Sequence, residues 1–308
     1  MTKLEWLIIR TKPVQFSFKI MKKIVLPGFG KLTLYEVLNF FINELKKNSL
    51  TDRAAAVTFN FLMAIPPTLL FLFTLLPYLP VNGIQTTIVN TVSMIIPNKS
   101  ISGSINQVII DFLTNQHSDL LSFGIILTLY YSSNGLLGLM RSFDKSSSVY
   151  KKRSQFMRRW TAVKLTVLLL IVVCLSLVVL VLQSSILNTI LLEFHLNLVF
   201  LKLSSLLLVF LITFYAISLI YRYAPSVVQT FPHFSIGAFF ATIMISIVTT
   251  VFFLLVNNFI NYNKVYGSIG TLIAFMVWIW MNTILLLIGY ELNVSILLGR
   301  LSKNKKNV

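Results

Sequence analysis

Four ionisable side chains stand where uncharged apolar runs of this chain give out: the guanidinium groups of Arg53, Arg141 and Arg222, and the carboxylate of Glu291. A carboxylate bordering hydrocarbon is costly unless paired, and the planar guanidinium fork can bond it bidentately, so Glu291 is expected to contact at least one of the three arginines. Two uses follow from that chemistry. One is structural, an ion-pair latch across the inner ends of helices. The other is an inner gate, or a layer in which arginines take the phosphate of an anionic headgroup. Asn60, Asn134 and Asn282 lie inside apolar runs and could extend a polar pathway outward, with Pro66-Pro67 as its hinge. Close helix packing is the competing reading of these residues.

Other chemistries lack their residues. The chain has no GxxxxGK[ST] phosphate loop, no HExxH, no GxSxG and no Cys/His zinc spacing. His117, His195 and His233 fall on loops of opposite sides, and Glu193 with His195 offers too few ligands for a metal. The single cysteine, Cys174, sits in an apolar run and supports neither a disulfide framework nor a thiolate site. The reading is therefore of a non-enzyme without cofactor or metal.

The elements that position these residues are set by composition. The chain is 56% hydrophobic and 11% charged over 308 residues, about half the charged fraction of an ordinary soluble domain. The surplus apolar surface must face lipid. Charge-free runs cover 54–98, 120–140, 165–192, 203–221, 223–263 and 265–290, and about twenty helical residues cross the roughly 30 Å hydrocarbon core. Pro77 and Pro80 end a helix in the first run, while YAPSVVQTFPHF and NNFINYN flank one in the fifth. The pattern predicts an all-α polytopic membrane protein with six transmembrane helices, near 54–76, 120–140, 165–187, 203–221, 235–257 and 268–290. Pro66-Pro67 should kink or break the first of them.

Charge placement orients the bundle. Of the 26 lysines and arginines, 23 lie in segments that share one side if both termini are cytoplasmic, and only Lys99, Lys202 and Lys264 lie opposite. The positive-inside rule selects that topology. It also accounts for most of the net charge of +17, which points to membrane lipids with anionic headgroups as partners rather than to nucleic acid.

The rest divides accordingly. Residues 1–53 form a basic cytoplasmic arm with no sign of a cleaved signal. Within it Leu34, Val37, Leu38, Phe41 and Leu45 recur at helical spacing, and Thr33 with Glu36 makes a capping-box signature, so an amphipathic helix is expected near 33–47. It would lie under headgroups or pack on the bundle. Residues 54–298 form the membrane domain, with an outer loop at 81–119 that carries two short amphipathic stripes. Residues 141–164 read as a basic cytoplasmic hairpin, and 299–308 as a basic tail.

Several stretches, DRAAAVTFNFLMAIPP, SSNGLLGLMRSFDK, YRYAP…IGAFFA and NYNKVYGSIG…GYELN, occur in this order from about Leu34 onward. Together they resemble the YihY/BrkB-like family of bacterial inner-membrane proteins, some of which carry the label ribonuclease BN. In this sequence the closing family motif falls on Tyr266, Gly267, Gly289, Glu291 and Asn293. The resemblance implies six helices in the bacterial cytoplasmic membrane, an association with envelope integrity and, for some members, movement of lipid-like molecules. Ser226, where relatives often have asparagine, and Tyr290, where alanine is usual, depart from the pattern. The reading that results is a transporter or flippase-like carrier of a lipid or other amphipathic envelope molecule. A non-transporting scaffold or envelope-integrity protein is the alternative, and the ribonuclease label gains nothing from these residues, since a nuclease needs convergent carboxylates or histidines.

Overall fold

A computed structural model describes residues 19, 21–25, 32–47, 49–75, 107, 110–111, 118–146, 149–194, 198–258 and 261–306. Among them are seven helices: α1 (Leu34–Lys47), α2 (Leu50–Leu75), α3 (Ser118–Ser146), α4 (Gln155–Phe194), α5 (Leu198–Tyr223), α6 (Ile236–Asn258) and α7 (Asn261–Lys306). No strand occurs among the described residues, only an isolated antiparallel bridge between Tyr150 and Val227. The amphipathic stripes expected in loop 81–119, and all but a few of residues 1–31, lie outside the described residues.

Among the described residues, five helices contain segments long and apolar enough to cross a membrane: Leu50–Leu72, Gln155–Ser176, Leu203–Tyr223, Ile236–Val256 and Leu272–Lys303, with mean hydropathy from 1.8 to 2.5. Their apolar side chains are widely exposed, Leu206 to 70% and Leu203 to 60%, as lipid-facing surface requires. The α3 helix has the length, 29 residues, but Tyr130 to Asn134 put two tyrosines, two serines and an amide at its centre. Hydroxyls in the spans bond to carbonyls of the preceding turn, as in Thr166 to Ala162, Thr213 to Val209 and Thr242 to Ala238, which satisfies them where water is absent.

Helix starts follow local chemistry. Ser49, Ser154 and Ser235 each accept from a backbone N–H three residues on, at Asp52, Met157 and Ala238. At α1 the capping box is reciprocal: Thr33 N donates to Glu36 Oε2 at 2.8 Å and Glu36 N to Thr33 Oγ1 at 3.3 Å.

Three elements bear on the expected pattern. Helix α2 runs through Pro66 and Pro67 without a break, and Thr128 Oγ1 donates to the Pro67 carbonyl at 2.5 Å. The basic stretch 141–164 is mostly helical, because α3 continues to Ser146 and α4 begins at Gln155. Lastly, α7 does not end with the apolar run at Tyr290 but continues to Lys306. No proline follows Glu291, and residues 299–306 extend α7.

The chain forms two compact units. The first comprises residues 1–56, 140–153 and 217–308. Here α1 packs on α7: Leu32, Val37 and Ile296 form a small core flanked by Leu34, Ile236 and Leu292. Of the two placements open for the amphipathic helix, this is packing on protein. The α3–α4 connection is also zipped to the α5–α6 connection in this unit, by Lys151 N to the Ser226 carbonyl at 2.6 Å and Val228 N to the Val149 carbonyl at 3.1 Å.

The second unit comprises residues 57–139 and 154–216. In it α2 and α3 approach through glycines. A Cβ on Gly138 would lie 2.7 Å from Asn60 Nδ2, and one on Gly135 would lie 2.9 Å from Phe61 Cδ1. Small residues permit such approach.

Candidate functional site

Within the first unit, α2 contributes Arg53, α3 contributes Ser142 and Phe143, and α7 contributes Tyr290, Glu291 and Asn293. Arg53 Nη1 donates to Glu291 Oε1 at 2.8 Å, and Nη2 donates to the Ser142 carbonyl at 2.7 Å. The side chains are 7% and 0% exposed, while Arg53 Nε makes no hydrogen bond. The contact expected of Glu291 is therefore made by Arg53, with one oxygen rather than as a bidentate fork.

The other two arginines are elsewhere. On α3, Leu139, Met140 and Phe143 are buried while Arg141 is exposed: at 100° per residue it falls on the opposite face. Arg222, in the last turn of α5, lies with its guanidinium carbon 5.8 Å from the Tyr223 ring centroid. Of the four charges, Arg53 and Glu291 form a buried pair, Arg141 is on the exposed face of α3 and Arg222 lies beside Tyr223.

Tyr290 fills the space beside Glu291. Its ring stacks on Phe143 with centroids 4.0 Å apart and meets Phe231 and Tyr221 at 6.1 and 6.3 Å. Tyr221 Oη donates to the Leu286 carbonyl at 2.5 Å. Phe143, Tyr221 and Tyr290 are all fully buried.

Next to this cluster α6 and α7 touch through small residues. A Cβ on Gly289 would lie 2.7 Å from both the Gly237 carbonyl oxygen and Ala241 Cβ, and 2.5 Å from Tyr221 Oη. Asn293 accepts from Gly237 N at 2.8 Å and donates to Ser235 Oγ at 3.0 Å, so it fixes the start of α6. Gly289 and Asn293 of the closing motif thus both contact the first turns of α6. Tyr266 and Gly267 lie in the first turns of α7.

Of the three asparagines of the expected polar pathway, Asn134 and Asn282 are bonded to side chains of neighbouring helices. Asn60 faces Gly138. Asn134 accepts from Arg159, whose guanidinium lies 5.1 Å from the Tyr130 ring centroid. Asn282 donates to the Trp278 carbonyl at 2.7 Å and accepts from Thr249 Oγ1 at 3.2 Å.

A second feature was missed in the sequence. A cleft of about 360 Å³ opens between the α5–α6 connection and α7, with Arg222 and Arg300 in its wall. The signal was present in the stripe Asn293, Ile296, Leu297 and Arg300, which repeats at helical spacing. It went unread because the helix was expected to end before it. Among the described residues no three His, Cys, Asp or Glu side chains gather in a metal-binding arrangement.

Comparison with known proteins gives a consistent picture. The family model described as Virulence factor BrkB matches residues 41–307. A Bacillus subtilis (strain 168) protein with the provisional name ribonuclease-like protein YfkH is 31% identical over 249 residues, 79% of this chain and 88% of that one. The UPF0761 membrane protein MS0032 of Mannheimia succiniciproducens is 25% identical, covering 82% of this chain and 86% of its own. The UPF0761 membrane protein NTHI0384 of Haemophilus influenzae is 26% identical, covering 82% and 91%. No solved structure matches.

Proposed function

This chain belongs to the virulence factor BrkB family of membrane proteins, and from that premise we propose that it is a carrier, flippase-like, for a lipid or other amphipathic envelope molecule. It sits in the bacterial cytoplasmic membrane with six spans, α2 to α7, and both tails in the cytoplasm. The sixth span is α3, whose polar centre is accommodated against neighbouring helices.

The observation that carries this reading is the buried Arg53–Glu291 pair. Replacing such a pair by apolar residues of similar volume is often neutral or stabilising, so burial of charge is weak evidence for a stabilising role. In a membrane helix bundle ionisable groups mark pathways and relays by default. The Nε of Arg53 makes no hydrogen bond, a donor that an anionic substrate passing the pair could use. Arg53 and Glu291 would then form the inner gate. We read no catalysis into the chain; the ribonuclease-like name belongs to its relative.

The test is transport by the purified protein in liposomes, with fluorescent amphiphiles of different headgroups and imposed proton or sodium gradients. Movement above that of empty liposomes, slowed at least tenfold by Glu291→Gln, is expected. Absence of movement for every headgroup and gradient would end the carrier reading.

The bond from Arg53 to the Ser142 carbonyl favours a second reading, in which the pair is a latch in a non-transporting scaffold. A scaffold keeps its envelope phenotype in folded Glu291→Gln and Pro66→Ala/Pro67→Ala variants, whereas a carrier loses it.

A further inference from the structure

In the second unit one guanidinium meets a spanning segment without a counter-charge. Around the start of the span Gln155–Ser176, Phe156, Met157 and Trp160 are exposed while Ala162, Leu165 and Thr166 are buried. Arg159 lies half-buried at the border of these two faces. Its position is set by α3: Nη1 donates to Asn134 Oδ1, and the guanidinium carbon lies over the Tyr130 ring, 5.1 Å from its centroid. Both partners are neutral, and among the described residues no carboxylate pairs with Arg159.

Its donors are not used up either. Arg159 Nε and Nη2 bond nothing in the protein and are not among its buried nitrogens without a partner, so they open on the surroundings of the two helices. With Oδ1 turned to the arginine, Asn134 leaves Nδ2 in the same condition. Tyr130 is 55% exposed and Ile126, a helical turn before it, 66%, so the ring under the guanidinium borders the lipid-facing surface. A positive charge next to hydrocarbon is costly unless it is paired. An open guanidinium beside an amide N–H donor suits phosphate oxygens through charge-assisted bonds.

We propose that Arg159, Asn134 and Tyr130 form a headgroup site for an anionic glycerophospholipid of the adjoining leaflet, with Arg159 Nε and Nη2 and Asn134 Nδ2 donating to its phosphodiester. The acyl chains lie against the exposed Ile126 of α3 and the exposed Phe156 and Trp160 of α4. Lys164, whose Nζ stands 5.3 Å from the Trp160 ring centroid, adds positive charge to the same stretch of α4 and favours a headgroup of net negative charge over a zwitterionic one. A free soluble phosphate shares the headgroup chemistry but leaves these apolar side chains without a partner. The inference does not depend on carriage: a resident lipid would hold the same place in a scaffold.

The test is retention of lipid by the full-length protein, extracted from vesicles of phosphatidylglycerol and phosphatidylcholine and measured by native mass spectrometry. Phosphatidylglycerol should be retained over phosphatidylcholine, and Arg159→Gln should reduce its retention at least about tenfold, the loss of a charge-assisted contact. Lys152→Gln, which removes an exposed charge in the α3–α4 connection, should leave it unchanged. Tyr130→Glu changes an exposed position, keeps Arg159 and offers it a carboxylate within the protein. It should lower retention as well, and it decides the matter should Arg159→Gln fail to fold. Inorganic phosphate or glycerol 3-phosphate should not displace the lipid at millimolar concentration. Equal retention of the two lipids, equal loss in Lys152→Gln, undiminished retention in the folded site variants, or displacement by inorganic phosphate would each overturn the proposal.

Discussion

Glu291 takes its ion pair from Arg53, 238 positions earlier in the chain, at 2.8 Å and almost wholly shielded from solvent. Removing one member of such a pair strands the other charge in a low dielectric, at a cost of about 3–5 kcal/mol. Removing both restores neutrality. Arg53→Met and Glu291→Leu should each lower unfolding stability in micelles by that amount, while the double variant should return to within about 1–2 kcal/mol of the parent. Single variants as stable as the parent would show that the pair contributes little to the folded state.

The glycines give a graded series, because the neighbour that a new methyl meets differs at each. At Gly237 and Gly289 the obstacles include backbone carbonyl oxygens and the fixed Asn293 and Ala241 side chains. Alanine there should cost about 1–3 kcal/mol by overpacking. At Gly138 the obstacle is the end of the Asn60 side chain, which can turn away, so Gly138→Ala should cost less. At Gly124 the nearest atom is 3.6 Å away, an ordinary contact, and alanine should stabilise α3 by up to about 1 kcal/mol through helix propensity. Thermal unfolding of the four variants checks the order, which fails if Gly124→Ala proves the most damaging.

On the six-span topology, a cysteine at Lys152 or Ser302 should react with a membrane-impermeant maleimide only after cells are opened, in a Cys174→Ser background. A cysteine at Asn263, on the opposite side, should react in intact cells. Labelling of Ser302→Cys from outside would leave an odd number of crossings or an inverted chain, and the inner-gate assignment of Arg53 and Glu291 would fall with it.

Much of this architecture was legible because it follows from local rules. Apolar runs marked five of the spans, Thr33 and Glu36 announced the start of α1, and the cost of a lone carboxylate required an arginine for Glu291. The choice among three arginines was not legible. It depends on helix rotation, which turns Arg141 outward, and on which helices are neighbours. The Pro66-Pro67 pair does not end the helix, since α2 runs continuously through both residues. The length of α7 has another cause: counting uncharged residues measures the hydrocarbon, whereas charged residues continue a helix readily, and no proline follows Glu291. The cleft was lost with it, as Arg300 was assigned to a tail.

The docking of α1 yields a last expectation. A helix resting on headgroups would keep its amides protected only in a bilayer with anionic lipid. In the structure Val37 is 0% exposed and Leu32 2%, and a Cβ on Gly299 would lie 2.5 Å from Leu32 Cδ1, so α1 rests on α7 in close side-chain contact. Hydrogen exchange of residues 37–45 should therefore be equally slow in anionic nanodiscs, neutral nanodiscs and detergent. Val37→Asp should abolish that protection by placing an unpaired carboxylate in the small core it shares with Ile296. Gly299→Leu should do the same from the α7 side without adding charge. Protection that tracks lipid charge and survives both substitutions would place α1 on the membrane surface instead.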